Sequence, residues 1–321
     1  MSYLALCPRL PGNELAAAEC RRLTGGTPDA EGVAVCQTVS HIWRAAYVHT
    51  GLRLIAEAET LDELAQQVSR LGLSADGFRV EFLRLTPQHT VGQREAVLAL
   101  AQAIHSAPDL TNPRCRFLIV AGATGFRFGE IVAEADHSFQ AHEEKPHHTS
   151  SAMPPRLARA MVNLALPLEC FAPGGDADVA SLLDPCCGTG TILIEACSLG
   201  LRASGSDRNP KMVSMTRGNL KHFGCTCEVT RADACQIERQ VDAVVTDLPY
   251  GRCLEHDDQN VRAILRQMAR LAPRGVFLGE MDFSAWLREA GYDEIEVFAV
   301  RKRAAMSRYI HVAARQPATS L

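Results

Sequence analysis

The sequence predicts an α/β protein: a mostly parallel sheet with a C-terminal antiparallel hairpin, preceded by a smaller α+β region. Three observations carry this. From about residue 179, short apolar runs alternate with stretches of helical apolar spacing, the order of a parallel sheet covered on both faces. Residues 294–301 and 308–314 read as strands whose link is too short for a crossover helix, so they form a hairpin. The first 145 residues mix strands and helices without that alternation.

At 321 residues the chain has length for two or three domains and a substantial core. Its 47% hydrophobic content and mixed charge read as a soluble globular protein. No apolar run of about 18 residues occurs, so no membrane-spanning helix and no membrane partner are expected. The N-terminal MSYLALCPRLPGNE lacks the basic start, long apolar core and small-residue cleavage site of a signal peptide. Of the twelve cysteines, several sit inside helical or strand patterns (Cys20, Cys36, Cys197) or side by side (Cys186, Cys187). Cys225 and Cys227 fall in a predicted strand with both thiols on one face, and no second pair completes a zinc site. The expectation is reduced cysteines, no metal and a cytoplasmic location. A net charge of −4 and a pI near 6.3 do not announce a nucleic-acid binder, so any such contact must come from local patches.

Residues 1–75 read as a small α+β domain. Residues 3–7 and 33–38 look like strands, and 13–23 like a helix opened by a Pro-Gly-Asn turn. Leu61, Leu64, Ala65, Val68 and Leu71 form the apolar stripe of a second helix. Thr60 is its N-cap, with Glu63 as the capping-box partner. A second region, 76–145, opens with FRVEFLRL, a strand of period two. A helix over 93–105, a turn at Leu110-Thr-Asn-Pro113 and strands at 116–122 and 126–133 follow. The polar HSFQAHEEKPHHTSS of 137–151 has too little apolar content for a core element and reads as a linker between domains.

The third region, 146–321, begins with a helix capped by Ser150 or Ser151 that carries Pro154 and Pro155 in its first turn. Its apolar face holds Met153, Leu157, Met161 and Leu164. Strands then end at Asp184, Asp207, 232 and Asp247, followed by a helix from about Thr189, a helix over 209–222, a short turn, and a helix with Val261, Ile264, Leu265, Met268 and Leu271 on one face. A strand at 275–281 and a helix at 283–290 lead into the hairpin.

The stretch LLDPCCGTGTILIE, 182–195, organises this region: an apolar strand, a tight Gly-rich loop and a helix start. Gly188 and Gly190 let the backbone adopt positive φ and bring a ligand against bare N–H groups at the helix N-terminus. Asp184 ends its strand where an open α/β sheet places its ligand crevice. Asp207 ends the next strand 23 residues on, where a carboxylate can accept both hydroxyls of a ribose lying over the Gly-rich turn. The competing role is a helix N-cap before Asn209-Pro210. Asp233 ends the third strand and can accept from an adenine amino group, or serve as an ordinary turn aspartate. Residues 188–193 read GTGTIL and lack the third glycine of a dinucleotide fingerprint.

The decisive stretch is VVTDLPYG, 244–251, an apolar strand running into Asp247, Pro249 and Tyr250, 63 residues after Asp184. Together with DPCCGTG it resembles the Rossmann-like class I S-adenosylmethionine-dependent methyltransferases that modify exocyclic amines. Their fourth motif reads Asp/Asn-Pro-Pro-Tyr/Phe. Here Leu248 stands at the first proline; it retains the backbone carbonyl and lacks the stiffening ring. An aromatic-ring amine is a poor nucleophile because its lone pair is delocalised into the ring. Asp247 and the adjacent carbonyl of Leu248 can accept both N–H protons and favour the pyramidal form. Pro249 shapes the turn and Tyr250 stacks on the base.

The resemblance extends upstream. KPHHTSSAMPPRLARAMVNLA (145–165), GSDRNPKMVSMTRGNLKHFG (205–224), TDLPYGR (246–252) and RKRAAMSRYIHVA (301–313) are similar in order and spacing to the tRNA guanine N2-methyltransferases, including those of position 10. This resemblance implies S-adenosyl-L-methionine as cofactor and tRNA as substrate, with a THUMP-like RNA-binding domain over 76–145 behind a ferredoxin-like 1–75. It leaves room for an accessory protein subunit. It implies a cofactor site from His148, Thr149, Ser150, Asp184, Cys186, Gly188, Thr189, Gly190, Asp207, Arg208, Asp233 and Ala234. LTNPRCRFLIV, 110–120, is similar to a THUMP strand.

Charge bears on the RNA assignment. Residues 1–150 hold 13 Lys/Arg against 17 Asp/Glu, and the remainder 20 against 20. Phosphate contacts draw on Lys and Arg, and the candidates are Arg114, Arg116, Arg127, Arg252, Arg301, Lys302 and Arg303. Two other readings stay open: a DNA adenine or cytosine N-methyltransferase, and a non-catalytic RNA-binding partner subunit that retains the fold.

Overall fold

The computed structural model describes residues 2–8, 14–87, 89–150, 152–167, 170, 180–249, 258–303 and 306–316, with the backbone alone for Lys302, Arg303 and Met306. They fall into two compact units, residues 1–43 with 47–136 and residues 44–46 with 137–321.

The first unit runs β1 (Tyr3–Leu6), α1 (Glu14–Thr24), β2 (Val33–Cys36), β3 (Thr50–Ala58), α2 (Leu61–Arg70), β4 (Phe78–Arg84), α3 (Gln93–Ala103), β5 (Cys115–Gly122) and β6 (Gly125–Glu134). Its six-stranded sheet has the order β2-β1-β3-β6-β5-β4, antiparallel except for the parallel β4–β5 pair. The capping box of α2 forms as its sequence predicts: Thr60 Oγ1 accepts from Glu63 N, and Glu63 returns a carboxylate oxygen to Thr60 N. Leu61, Leu64 and Val68 of α2 bury against Phe78, Phe117 and Phe128 of the sheet.

Two expectations change here. Strand β3, unassigned by sequence pattern, pairs with β1 on one side and β6 on the other. The segments 1–75 and 76–136 therefore share one sheet, and no structural break lies at residue 75. The reason β3 escapes period-two reading is physical. Register shifts at Gly51/Leu52 and Leu54/Ala56 break its alternation. Leu52 joins the cluster around Leu4 and Val120, while Ala56 joins the one around Leu64 and Phe117.

The second unit begins with a 3-10 segment, Ser138–Glu144, and α4 (Pro155–Ala165). There follow β7 (Ser181–Asp184), α5 (Thr191–Ser198), β8 (Arg202–Asp207), α6 (Pro210–His222), β9 (Glu228–Arg231), β10 (Ala243–Asp247), α7 (Asp258–Leu271), β11 (Arg274–Gly279), α8 (Ser284–Ala290), β12 (Glu294–Arg303) and β13 (Met306–Ala314). The sheet order is β12-β13-β11-β10-β7-β8-β9. All neighbours are parallel except those of β13, which runs antiparallel to both β11 and β12. The α/β reading and the closing hairpin stand. Strand order reverses between β7 and β10, so their C-terminal ends flank the crevice where such sheets bind ligands.

The stretch 137–151 is not the solvated linker that its composition suggests. Phe139, His142 and Lys145 are buried. Glu195 on α5, fully buried, is held at 2.6 Å by both His142 Nδ1 and Arg159 Nε of α4. Polar residues enter this core because each meets a hydrogen-bond partner. Nor does a serine cap α4. The helix starts at Pro155, and Pro154 before it is extended at φ −60°, ψ 137°, as a residue preceding proline must be. Ser151 lies outside the described residues. Cys225 and Cys227 precede β9 rather than lying in it.

Candidate active site

The Gly-rich loop between β7 and α5 is held from three sides. Gly190, at φ 83°, starts α5 at Thr191, two residues later than the sequence suggests. Thr216 Oγ1 of α6 donates to Gly188 O at 2.6 Å. Asn219, buried on α6, donates to Thr189 O at 2.8 Å and to His147 O at 3.0 Å, and accepts from His147 N. One side chain thereby ties the loop to the segment before α4. Lys145 Nζ of that segment donates to Thr191 Oγ1, and burial pulls this amine down to about 8. A Cβ on Gly188 would meet no atom within 4 Å, so the loop leaves open space over its backbone.

A cleft of about 190 Å3 lies over this loop. Its walls are Thr149, Ala152 and Met153 on one side, Asp184, Cys186, Cys187, Gly188, Thr189, Thr191 and Ile192 on another, and Asp247, Leu248 and Pro249 at the end of β10. A second cleft, of about 80 Å3, shares Cys186 and Pro249 with it and is lined by Asp207, Arg208, Asp233, Ala234, Asn260 and Ile264. Asp184 and Asp247, 63 residues apart in sequence, thus face one cavity, with Asp207 and Asp233 in its neighbour.

Each carboxylate is fixed. Asp184 accepts from Thr246 Oγ1 at 2.8 Å and Cys186 N at 3.2 Å. Burial lifts its pKa to about 7, and the carboxylates of Asp247 and Asp207 add to the rise. Burial likewise pushes the Cys186 thiol well up, so it stays protonated. Asp207 accepts from Gly188 N at 3.0 Å and Asn209 N at 2.8 Å. The N-cap of α6 is Asn209, which accepts from Lys211 N, so the capping role falls to that residue rather than to Asp207. Asp233 accepts from Cys235 N at 2.9 Å. Asp247 accepts from Arg308 Nη2 of β13 at 2.6 Å on both oxygens.

Comparison with known proteins matches residues 143–307 to the UPF0020, RMKL-like methyltransferase domain. A tRNA (guanine(10)-N2)-dimethyltransferase of Methanothermobacter thermautotrophicus is 31% identical over 280 residues, 82% of this chain and 79% of that protein. The enzyme of that name from Methanocaldococcus jannaschii is 35% identical over 158 residues, 44% of this chain and 42% of its own. The chain belongs to the RMKL-like methyltransferase family. In structure it is similar to TrmN from Thermus thermophilus, with a TM-score of 0.52 at 20% identity, over 98% of this chain and 100% of that one.

In this methyltransferase the structure gathers most of the sequence-predicted cofactor residues. Thr149, Asp184, Cys186, Gly188 and Thr189 line the larger cleft; Asp207, Arg208, Asp233 and Ala234 line the smaller. Gly190 lies just behind, its Cα facing Thr216. His148 and Ser150 are exposed and line neither cleft, whereas Ala152 and Met153 do. The fit to a nucleoside-bearing cofactor rests on the open space over Gly188 and the carboxylate pair Asp207 and Asp233 in the adjoining cleft.

Leu248 finds a place that proline could not fill. Its N–H donates to Leu278 O at 3.0 Å, extending the β10–β11 pairing by one residue, and its side chain is buried beside Leu265, Phe283 and Trp286. The loop is stiffened by that anchor in place of a ring. Tyr250 and Arg252 lie outside the described residues.

The RNA-binding candidates separate. Arg116 is committed to Glu81 at 2.8 Å and to Glu134, which hold its guanidinium charged and raise its pKa, so it is already neutralised on the surface of the sheet. Arg114 and Arg301 are exposed and Arg127 is half-buried. Lys302 and Arg303 lie on β12 near the hairpin turn.

The sequence reading missed Thr246 and Arg308. Thr246 directly precedes Asp247, and only the pairing of β10 with β7 reveals that it serves Asp184. The signal for Arg308 was available: it is a lone charged residue two positions before buried Ile310, on the same side of a strand.

Proposed function

We propose that this methyltransferase transfers a methyl group from S-adenosylmethionine to the exocyclic N2 of a guanosine in tRNA, with position 10 favoured. The observation that carries the reading is the joint lining of one cleft by the Gly-rich loop and Asp247. The names of the archaeal relatives support the substrate. The cofactor supplies an electrophilic methyl on a sulfonium. The chain supplies the rest. The Gly188–Thr191 loop and Asp184 would hold the donor's amino-acid end, while Asp207 would accept the ribose hydroxyls and Asp233 the adenine amine. Asp247 and the Leu248 carbonyl accept the N–H protons of a guanine turned out of its stack, turning the nitrogen lone pair toward the methyl. Tyr250 stacks on that base.

The N-terminal unit acts, in this reading, as the THUMP-like RNA module, with Arg114 and Arg127 as its phosphate contacts and Arg252, Arg301, Lys302 and Arg303 contributing from the catalytic unit. The enzyme works in the cytoplasm, with or without an accessory protein subunit. No described helix is long and apolar enough to cross a membrane.

Tritiated methyl transfer to total tRNA, rRNA and DNA, followed by nucleoside analysis, tests the assignment. Label in N2-methylated or N2,N2-dimethylated guanosine from tRNA is expected. Label in DNA adenine or cytosine would overturn it in favour of a DNA enzyme, and no transfer to any of the three would favour a non-catalytic subunit.

A further inference from the structure

Arg308 reaches Asp247 through strand register. Asp247 pairs with Leu278 of β11, and Leu278 with Ile310 of β13, which puts the first part of β13 level with the end of β10, across the intervening β11. The Arg308 side chain is 3% exposed and Asp247 24%, and Nη2 lies 2.6 Å from each carboxylate oxygen. An arginine so buried is expensive to desolvate and persists only against a fixed partner. We infer that Arg308 is a positioning residue for methyl transfer: it keeps Asp247 ionised and its carboxylate in one orientation, so that the cleft meets hydrogen-bond acceptors there and no donor. This rests on the reading of Asp247 as the group that receives the substrate amine.

The chemistry follows from what surrounds Asp247. Asp184 from β7 lines the same cavity, and Asp207 from β8 adds its charge to Asp184. Two carboxylates at one cavity share a proton unless a cation separates them. A protonated Asp247 would present an O–H to an amine that itself offers only N–H donors, and the match would be lost. The guanidinium beside Asp247 favours the ionised form there, while burial favours the neutral form of Asp184. The same pairing makes Asp247 a weak base. In the transfer the amine nitrogen forms its bond to the methyl carbon as the carbon–sulfur bond breaks, the electron pair staying on sulfur. The extra proton of the product then leaves to water rather than to Asp247.

The test compares wild type, Arg308→Lys, Arg308→Met and Asp247→Ala. Donor affinity is read by calorimetry, turnover across pH 5 to 9, and the Asp247 carboxyl titration by NMR of carboxyl-labelled protein without donor. Arg308→Met should lower kcat on the order of 10–100-fold, as loss of an outer partner does elsewhere, while donor affinity stays within about threefold. Its acid limb of kcat and its Asp247 titration should both move upward in pH, and Arg308→Lys should restore part of each. If Arg308→Met does not fold, the titration and pH profile of Arg308→Lys carry the comparison. An unmoved Asp247 titration and unmoved acid limb in the folded variants would overturn the inference. Retained turnover in Asp247→Ala would instead overturn the underlying reading.

Discussion

Thr246 Oγ1 donates to Asp184 Oδ1 at 2.8 Å, linking neighbouring strands β10 and β7 at the floor of the cleft, with both side chains buried. The two residues flank the same sheet position from opposite motifs: Asp184 opens the Gly-rich loop, and Thr246 precedes Asp247. A shift of either strand is thereby felt by both halves of the site.

Asp184 gives the protein a pH signature. Its folded pKa, about 7, lies above the ordinary 3.8. Below the ordinary value both states are protonated. Between the two values the unfolded chain has lost the proton that the folded state keeps, so stability falls as pH rises, by up to about 1.4 kcal/mol per pH unit. Above about 7 this loss is complete. Urea unfolding at pH 4.5, 6 and 8 should show Asp184→Asn without that decline. An equal slope in both proteins would exclude Asp184 as its source.

Asp247→Ala should reduce kcat about 100-fold or more while calorimetry still detects the donor, the carboxylate being proposed to receive the base rather than the cofactor. Substantial turnover in this variant would remove Asp247 from the chemistry.

Asp207→Ala has the opposite profile. It takes away the acceptor of Gly188 N–H and the proposed acceptor of the ribose hydroxyls together, so donor affinity should drop about 10–100-fold, with kcat near wild type at saturating donor. A lost kcat with unchanged affinity would refute the ribose role.

The two loop glycines separate folding from binding. At Gly190, φ 83°, an alanine Cβ would lie 2.7 Å from Thr216 Cγ2, so Gly190→Ala should destabilise by about 2–4 kcal/mol. At Gly188, φ 52°, an added Cβ meets nothing. Gly188→Ala should cost only about 1–2 kcal/mol in the left-handed region and weaken donor binding by intruding on the cleft. Thermal unfolding and calorimetry on the two variants should give opposite rank orders.

Leu248→Pro moves the sequence toward the family pattern and should nonetheless destabilise, by about 3 kcal/mol or more. It removes the N–H donated to Leu278 O and a buried side chain. Unfolding by urea measures it; a variant as stable as wild type would mean that the β10–β11 extension is dispensable.

What the sequence made legible is local. Strands β7 and β10 announce themselves as apolar runs ending at Asp184 and Asp247, and the capping box at Thr60 and Glu63 needs only four residues to be read. What escaped depends on partners far along the chain. β3 loses its alternation through two register shifts. The segment 137–145 looks soluble until Glu195, some fifty residues on, supplies partners for His142 and Arg159. Arg308 meets Asp247 across 61 residues, by way of a strand that runs against the rest of the sheet.

Strand β13 is inserted between β11 and β12 although it follows both in the chain. The ion pair between Arg308 and Asp247 therefore spans the intervening strand β11 and ties a strand that runs against its neighbours to the end of a parallel one. A change in how that hairpin packs is thus transmitted to the carboxylate at the mouth of the cleft, two strands away.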